Sequence, residues 1–318
     1  MISVAMCTYN GERFLSEQLK SIFSQTCPPD EIIICDDCSK DHTVQLAHSL
    51  LSQWNGKWKI IQNEKNLGFR KNFEQVIQLC QGDIIFLSDQ DDVWMPEKIG
   101  VMMRVFKNHA NVILAFHDAE IVDRNLSQLA SSFWNILDFN PECFCRSDYR
   151  QLLGHNVVQG SACAFRKELV HCACPFPTEA IHDEWLALAA LSMGKIYPIT
   201  NRLLKYRQWE GNAIGGKRTV AKILKESLFT MRNIASTQRE YILRKNKINK
   251  EWIRRYRNKI QMTYPYMIDT NNVMEQRCHY IKGKSFRIIS IWGSYFKLYP
   301  RKKSALKEFT KDIISVIF

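Results

Sequence analysis

Asp83-Ile84-Ile85-Phe86-Leu87-Ser88-Asp89-Gln90-Asp91-Asp92-Val93-Trp94, residues 83–94, is the most informative stretch of the chain. Gly82 and a short apolar run predict a buried strand over 83–87. Three carboxylates follow it within four residues, and like charges so close repel unless a cation or hydrogen-bond donors neutralise them. An all-oxygen cluster suits a hard divalent ion, Mg2+ or Mn2+. Such an ion could hold a diphosphate and stabilise the charge of a departing phosphate. A solvated structural loop is the plain alternative.

The same alternation extends to both sides. Strands are predicted at 2–7, 31–35, 58–62 and 112–116, and helices at 12–24, 43–54, 72–80 and from Pro96 to about 108. Short apolar runs alternating with segments of helical period predict an α/β domain, a mainly parallel Rossmann-like sheet flanked by helices. From about 120 to 212 the pattern turns mixed, with strands at 161–165 and 195–199 and a helix at 183–191. Three glycines and a shift in composition over 211–216 mark a boundary. Two domains are therefore expected: 1–216, and a basic helical region at 217–318 with amphipathic helices over 219–257 and 302–317.

Charge divides along the same line. Residues 217–318 hold 24 of the 44 Lys and Arg but 7 of the 32 Asp and Glu. A composition of 46% hydrophobic and 24% charged residues excludes a disordered chain. No signal peptide precedes the first strand, and eleven cysteines suit free thiols in a reducing compartment, so a cytoplasmic location is expected. The apolar stretch over 288–299 contains Lys297 and is too short to span a bilayer.

Ligands of open α/β sheets bind at the carboxyl ends of the strands. Two more strand ends fit that position. The first strand runs into Thr8-Tyr9-Asn10-Gly11, which offers backbone donors and a hydroxyl. The second runs into Asp36-Asp37-Cys38-Ser39, whose acids serve either a ligand or the cap of the next helix.

These stretches resemble the inverting family 2 glycosyltransferases of GT-A fold. The resemblance is carried by VAMCTYNG (4–11), CDDCS (35–39) and LSDQDDVW (87–94). NLGFRKNFE (66–74), HDEWLAL (182–188) and YRQ (206–208) are similar to the bacterial rhamnosyltransferase branch. It covers about residues 1–212. The resemblance implies that Asp36 and Asp37 contact the base and ribose of a nucleoside diphosphate sugar, with Thr8, Tyr9 and Asn10 lining that pocket. It puts Asp89 near the sugar or ribose and also within the metal set, Asp91 as principal ligand of Mg2+ or Mn2+, and Asp92 in support. Asp183 would be the general base, its pKa held up by partial burial beside Trp185. A plain helix-start carboxylate is the other role open to Asp183, and the two are compatible.

Members of this branch often carry a His shortly after YRQ, where this chain has Trp209-Glu210. Arg207, Glu210 or Lys217 would then serve the diphosphate or metal. The resemblance further implies transfer of a sugar, L-rhamnose from a dTDP donor being one case, to a lipid-linked glycan acceptor in assembly of a bacterial surface polysaccharide. The alternatives from other classes are a non-enzymatic nucleotide- or phosphate-binding regulatory module and a nucleic-acid-binding protein driven by the basic region.

Weaker signals remain. Cys143, Cys145, His171, Cys172 and Cys174 could hold zinc or be scattered thiols. Gly68 with Arg70 and Lys71 could meet a phosphate at a helix start, or simply form a solvated helix start. His117, His155 and His182 lie near the motifs. The basic region interleaves Lys and Arg with Trp252, Tyr256, Trp292, Tyr295 and Phe296, which suits the anionic inner leaflet of a membrane, as a peripheral protein, or a solvated bundle. Nucleic acid is not expected as the partner.

Overall fold

A computed structural model describes residues 1–210, 228–299 and 302–317. The 211–216 boundary and Lys217 lie outside the described residues. Two compact units form: Met1–Cys145 with Val158–Phe176 and Ile181–Trp209, and Arg146–Val157 with Pro177–Ala180 and Glu210–Phe318.

The first unit is built on β1 (Ile2–Thr8), α1 (Glu12–Phe23), β2 (Glu31–Asp36), α2 (Thr43–Leu51), β3 (Lys57–Gln62), α3 (Phe69–Leu79) and β4 (Ile84–Ser88). Then come β5 (Val93–Trp94), α4 (Lys98–Asn108), β6 (Val112–Val122), β7 (Gln128–Ala130), α5 (Phe133–Leu137) and α6 (Pro141–Cys145). In the second unit lies α7 (Gln151–Gly154). The first resumes with β8 (Cys163–Arg166), α8 (Glu168–Ala173), α9 (His182–Leu191) and β9 (Lys195–Arg207).

The strand order is β3-β2-β1-β4-β8-β6-β9-β5, with β7 on β6. Strands β3, β2, β1 and β4 run parallel. Strands β1, β2 and β4 are buried along nearly their whole length, as continuous apolar runs covered on both faces require, while β3 at the edge alternates. Chain order reverses at β1: β2 lies on one side and β4 on the other. The crevice at the carboxyl ends of β1 and β4 is therefore the switch point where ligands bind in such sheets.

Two strands run further than expected. β6 continues to Val122 instead of ending at 116, and β9 to Arg207 instead of 199. Their parallel pairing jumps from His117↔Ile199 to Asp118↔Arg202. Thr200 and Asn201 are the extra residues of a bulge, and the polar interruption ends the strand in the pattern but not in the fold.

The second unit contains α10 (Leu228–Thr263), interrupted at Tyr256, and α11 (Pro265–Lys282). A 3-10 helix (Phe286–Ser294), α12 (Tyr295–Leu298) and α13 (Lys302–Ile317) follow. At its centre the fully buried Arg277 guanidinium binds Asp312 through Nε and Nη2, Tyr299 Oη at 2.6 Å and Glu308 Oε2 at 3.3 Å. Tyr295 donates to Asp312, and Gln238 to both acids. Burial alone would raise the Glu308 pKa, but Arg277 and Lys311 overcome it and hold it at about 2. Trp252 and Tyr295 are buried in this core, so they are not surface aromatics of the basic region. His155 is interior too, stacked on Tyr299 at 5.5 Å, and burial pushes its pKa down to about 4.

Candidate functional site

The carboxyl ends of β1, β2 and β4 bring the expected loops together. Backbone amides of one loop are met by side chains of the next: Asn10 N donates to Ser39 Oγ at 2.8 Å, Lys40 N to Asn10 Oδ1 at 2.9 Å and Gly11 N to Thr43 Oγ1 at 2.7 Å. Gln90 spans the crevice, accepting from Tyr9 N at 2.8 Å and donating to Tyr9 O at 3.0 Å. A Cβ on Gly11 would stand 2.2 Å from Gln90 Oε1, so a side chain there would push Gln90 off this bridge. Asn10 and Cys38 take left-handed backbone, φ 48° and 68°, which stores strain beside the site.

Asp36 and Asp37 are both buried, and each is already engaged. Asp36 accepts from Thr8 Oγ1 at 2.9 Å, from Ser39 N at 2.9 Å and from the Ser39 hydroxyl. Thr8 is thereby scaffold. Asp37 accepts from Asn63 Nδ2 at 3.1 Å, Leu67 N at 2.7 Å and Gly68 N at 2.8 Å. Its carboxylate sits at the start of α3, in the place where Gly68 would otherwise offer an amide to a phosphate. Of the two readings of Gly68, this engagement favours the plain helix start over a phosphate contact; Lys71 is paired with Glu74 at 2.9 Å and Arg70 stacks on Phe69. A carboxylate offers about four acceptor positions, so Asp37 keeps one on Oδ2. Tyr9 and Asn10 are the exposed members of their loop.

The acidic cluster after β4 is gathered around two cations. Asp92 is fully buried; its Oδ1 accepts from Arg207 N at 3.0 Å and its Oδ2 lacks a partner of good geometry. Asp91 Oδ2 accepts from the Trp209 indole at 2.7 Å. Burial, then the charges of Asp91 and Asp183, pushes Asp89 up to about 7. Burial raises Asp91 and Asp92 as well, with Asp91 and Asp89 adding to the shift of Asp92. Below them Lys98 is fully buried, its ammonium donating to Ser161 O and lying 3.7 Å over the Trp94 ring. Burial pushes Lys98 down to about 7 against the pull of Asp92 and Asp89. Asp89 and Asp92 therefore share the Lys98 ammonium while Asp91 feels Arg207, and because burial still raises all three carboxyls, a further cation there would favour their charged forms.

Arg207 does not reach toward a diphosphate. Nε donates to Asp91 O at 2.6 Å, Nη1 to Arg124 O at 2.6 Å and Nη2 to Glu17, while the guanidinium lies 4.4 Å over the Phe14 ring. It fixes the acidic loop from behind, since its donors are spent inside the protein.

Asp183, at the start of α9, joins this cluster. Its Oδ2 accepts from Gly160 N at 3.0 Å and its Oδ1 from Glu184 N at 2.6 Å. Gly160 is tight against His182: a Cβ there would stand 2.6 Å from Nε2. His182 stacks on Phe73 at 3.9 Å, neither ring nitrogen has a partner, and burial pushes its pKa down to about 3. It is a neutral packing surface, as is buried His117, whose Nδ1 meets Asp118 O at 2.7 Å. Trp185 is directed inward, donating to Ala173 O at 2.8 Å. Among the described residues no three His, Cys, Asp or Glu side chains stand as a ready-made metal set, neither the cysteine pairs with His171 nor the acids after β4.

Lys98 and Ser161 were not foreseen. The signal for Lys98 was its place in the first turn of α4, where the helix dipole disfavours a cation unless an anion is near. Lys98→Met is expected to lower stability by roughly 1–3 kcal/mol. The loss should be larger at pH 8 than at pH 6: the folded pKa of Lys98, about 7, lies below its unfolded value, so the wild type gains stability as pH rises through that window and the variant lacks this gain. Thermal unfolding at the two pH values checks this, and an unchanged Tm at pH 8 would contradict it.

The family model described as glycosyl transferase family 2 matches residues 3–172. The putative glycosyltransferase EpsE of Bacillus subtilis is 32% identical over 108 residues, 34% of this chain and 39% of that protein. The dTDP-rhamnosyl transferase RfbG of Shigella flexneri is 27% identical over 223 residues, 66% of this chain and 73% of that one. The chain thus spans less than two thirds of EpsE. A solved mannosyltransferase, PcManGT from Pyrobaculum calidifontis in complex with GDP-Man and Mn2+, aligns with TM-score 0.56 at 15% identity, covering 99% of this chain and 86% of that one.

Proposed function

The chain belongs to glycosyl transferase family 2 and has the GT-A fold, and from that premise we propose that it transfers a sugar from a nucleoside diphosphate donor to a glycan acceptor with inversion. The observation that carries this reading is the gathering of Asp89, Asp91, Asp92 and Asp183 at the switch point of the sheet. Family membership sets aside the regulatory-module alternative.

In the proposed reaction Asp183 removes the proton of an acceptor hydroxyl as its oxygen attacks the anomeric carbon from the face opposite the diphosphate. The bond from that carbon to phosphate breaks, and the nucleoside diphosphate leaves. Asp37, with one acceptor position open, serves the nucleoside, with Tyr9 beside it; Thr8, Asn10 and Asp36 hold that loop. The all-oxygen donor set suits Mg2+ or Mn2+, which Asp91 would hold with Asp89 and Asp92 near it. When bound, the ion would neutralise charge on the leaving diphosphate. Trp209 carries an N–H donor and no lone pair for a metal, so it supports Asp91 by hydrogen bonding and adds no ligand. The likeness to the dTDP-rhamnosyl transferase RfbG favours dTDP-rhamnose as donor; a lipid-linked glycan of a bacterial surface polysaccharide as acceptor, and a peripheral place on the cytoplasmic face of a membrane, complete the proposal on the family resemblance and the basic second unit. Among the described residues no helix is long and apolar enough to cross one.

A thermal-shift panel of dTDP-, UDP- and GDP-sugars with Mn2+ or Mg2+ tests the reading. One donor class at about 100 Kd should stabilise by about 2.7 kcal/mol, and Asp91→Ala should remove the metal-dependent part of that shift. If no donor stabilises the protein with either ion, the proposal fails.

A further inference from the structure

The second unit carries an apolar row on its outside that its own core does not use. In a 3-10 helix residues three apart eclipse one another, so Phe286–Ser294 presents three rows. Ile288 and Ile291 form the buried row. Arg287, Ser290 and Gly293 form an exposed polar row. Phe286 and Ile289 begin the third and are 60% and 57% exposed, with half-buried Trp292 next on the same line. Phe296, 37% exposed, packs on Trp292 at 5.3 Å and continues the apolar edge.

The chain that carries this edge is basic. Between Glu275 and Glu308 the chain has nine Lys and Arg and no Asp or Glu. Of the nine, Lys282, Lys284 and Arg287 are exposed at or beside the row. The edge is also firmly mounted: Trp292 packs on Phe309 at 4.7 Å, and Tyr295 joins the buried Arg277–Asp312 network beneath. Exposed aromatic and aliphatic side chains flanked by cations, on a rigid support, match the headgroup region of an anionic bilayer, where apolar insertion and attraction to lipid phosphates act together.

We propose that Phe286, Ile289 and Phe296, with Lys282, Lys284 and Arg287, form the edge by which this protein docks on an anionic phospholipid surface. This deepens the proposal of a lipid-linked acceptor, since it names the element that brings the enzyme to it. Docking is nonetheless measurable without any transfer reaction.

The test is co-sedimentation of the full chain with phosphatidylcholine vesicles, with or without phosphatidylglycerol. Wild type should partition onto the anionic vesicles at least about tenfold more strongly than onto neutral ones. Phe286→Ser with Ile289→Ser should lower that binding by about tenfold or more with Tm unchanged, because both side chains are already exposed. Equal binding by wild type and the double variant overturns the proposal. It is also overturned if the double variant instead dissolves a dimer seen by gel filtration without lipid, or abolishes duplex DNA binding while vesicle binding persists. Donor-induced thermal shifts on the same samples separate the two claims. Loss of vesicle docking with the donor shift intact bears on docking alone, and a wild type that docks but shows no donor shift sinks only the transfer reading.

Discussion

Asp183→Asn is expected to lower kcat for sugar transfer by about 10²–10⁴-fold, the usual contribution of a positioned general base, with little change in the donor-induced thermal shift. The substitution keeps the shape of the side chain and removes the proton acceptor. It also meets a structural constraint. Gly160 N and Glu184 N donate to different oxygens of Asp183, and an amide can accept from only one of them through its single oxygen. A stability loss of roughly 1–3 kcal/mol is therefore expected beside the kinetic effect. Measuring Tm together with kcat separates the two. A kcat within about tenfold of wild type would show that another group takes the proton.

Arg277→Ala should have the largest effect on stability. Asp312 is fully buried and receives the guanidinium through two nitrogens, and Glu308 lies at the edge of the same network. Removing the cation leaves buried carboxylates uncompensated, which costs roughly 3–5 kcal/mol. In a domain of this size that corresponds to a fall in Tm of about 10 °C or more. Arg277→Met combined with Asp312→Leu should recover part of the loss, since an apolar pair of similar volume avoids the unpaired charge. A single variant as stable as wild type would mean that water reaches the carboxylates.

Acid should weaken the same unit. Glu308 is held at about 2, below its unfolded value of about 4.3. Its stabilising contribution is therefore complete above the unfolded pKa and is lost as pH falls through the folded one.

Much of the first unit could be read locally. Strands buried on both faces need continuous apolar runs, and 2–7, 31–35 and 83–87 have them, so the parallel sheet and the loops at its carboxyl ends follow from short windows of sequence. The acids after the second and fourth strands stood out for the same reason. Strand β9 was cut short because a bulge at Thr200-Asn201 breaks the alternation, whereas backbone pairing with β6 resumes beyond it. In the second unit, basic and aromatic residues interleave in a way that fits a wet surface or a core equally well. Which side of a helix meets a neighbour decided that Trp252 and Tyr295 are interior and that Phe286 and Ile289 are not.

What the sequence by itself determined is the class of fold and the position of the acidic loops at strand ends, because both depend on periodicity and on short-range charge. Only the tertiary structure decided how each acid is used. Asp37 caps α3 from another loop, Lys98 lies buried under Asp89 and Asp92, and Arg207 and Trp209 reach Asp92 and Asp91 across more than a hundred residues of chain. The physical reason is that a buried charge is tolerated only with its partner in place, and strand order, which no local window contains, selects that partner.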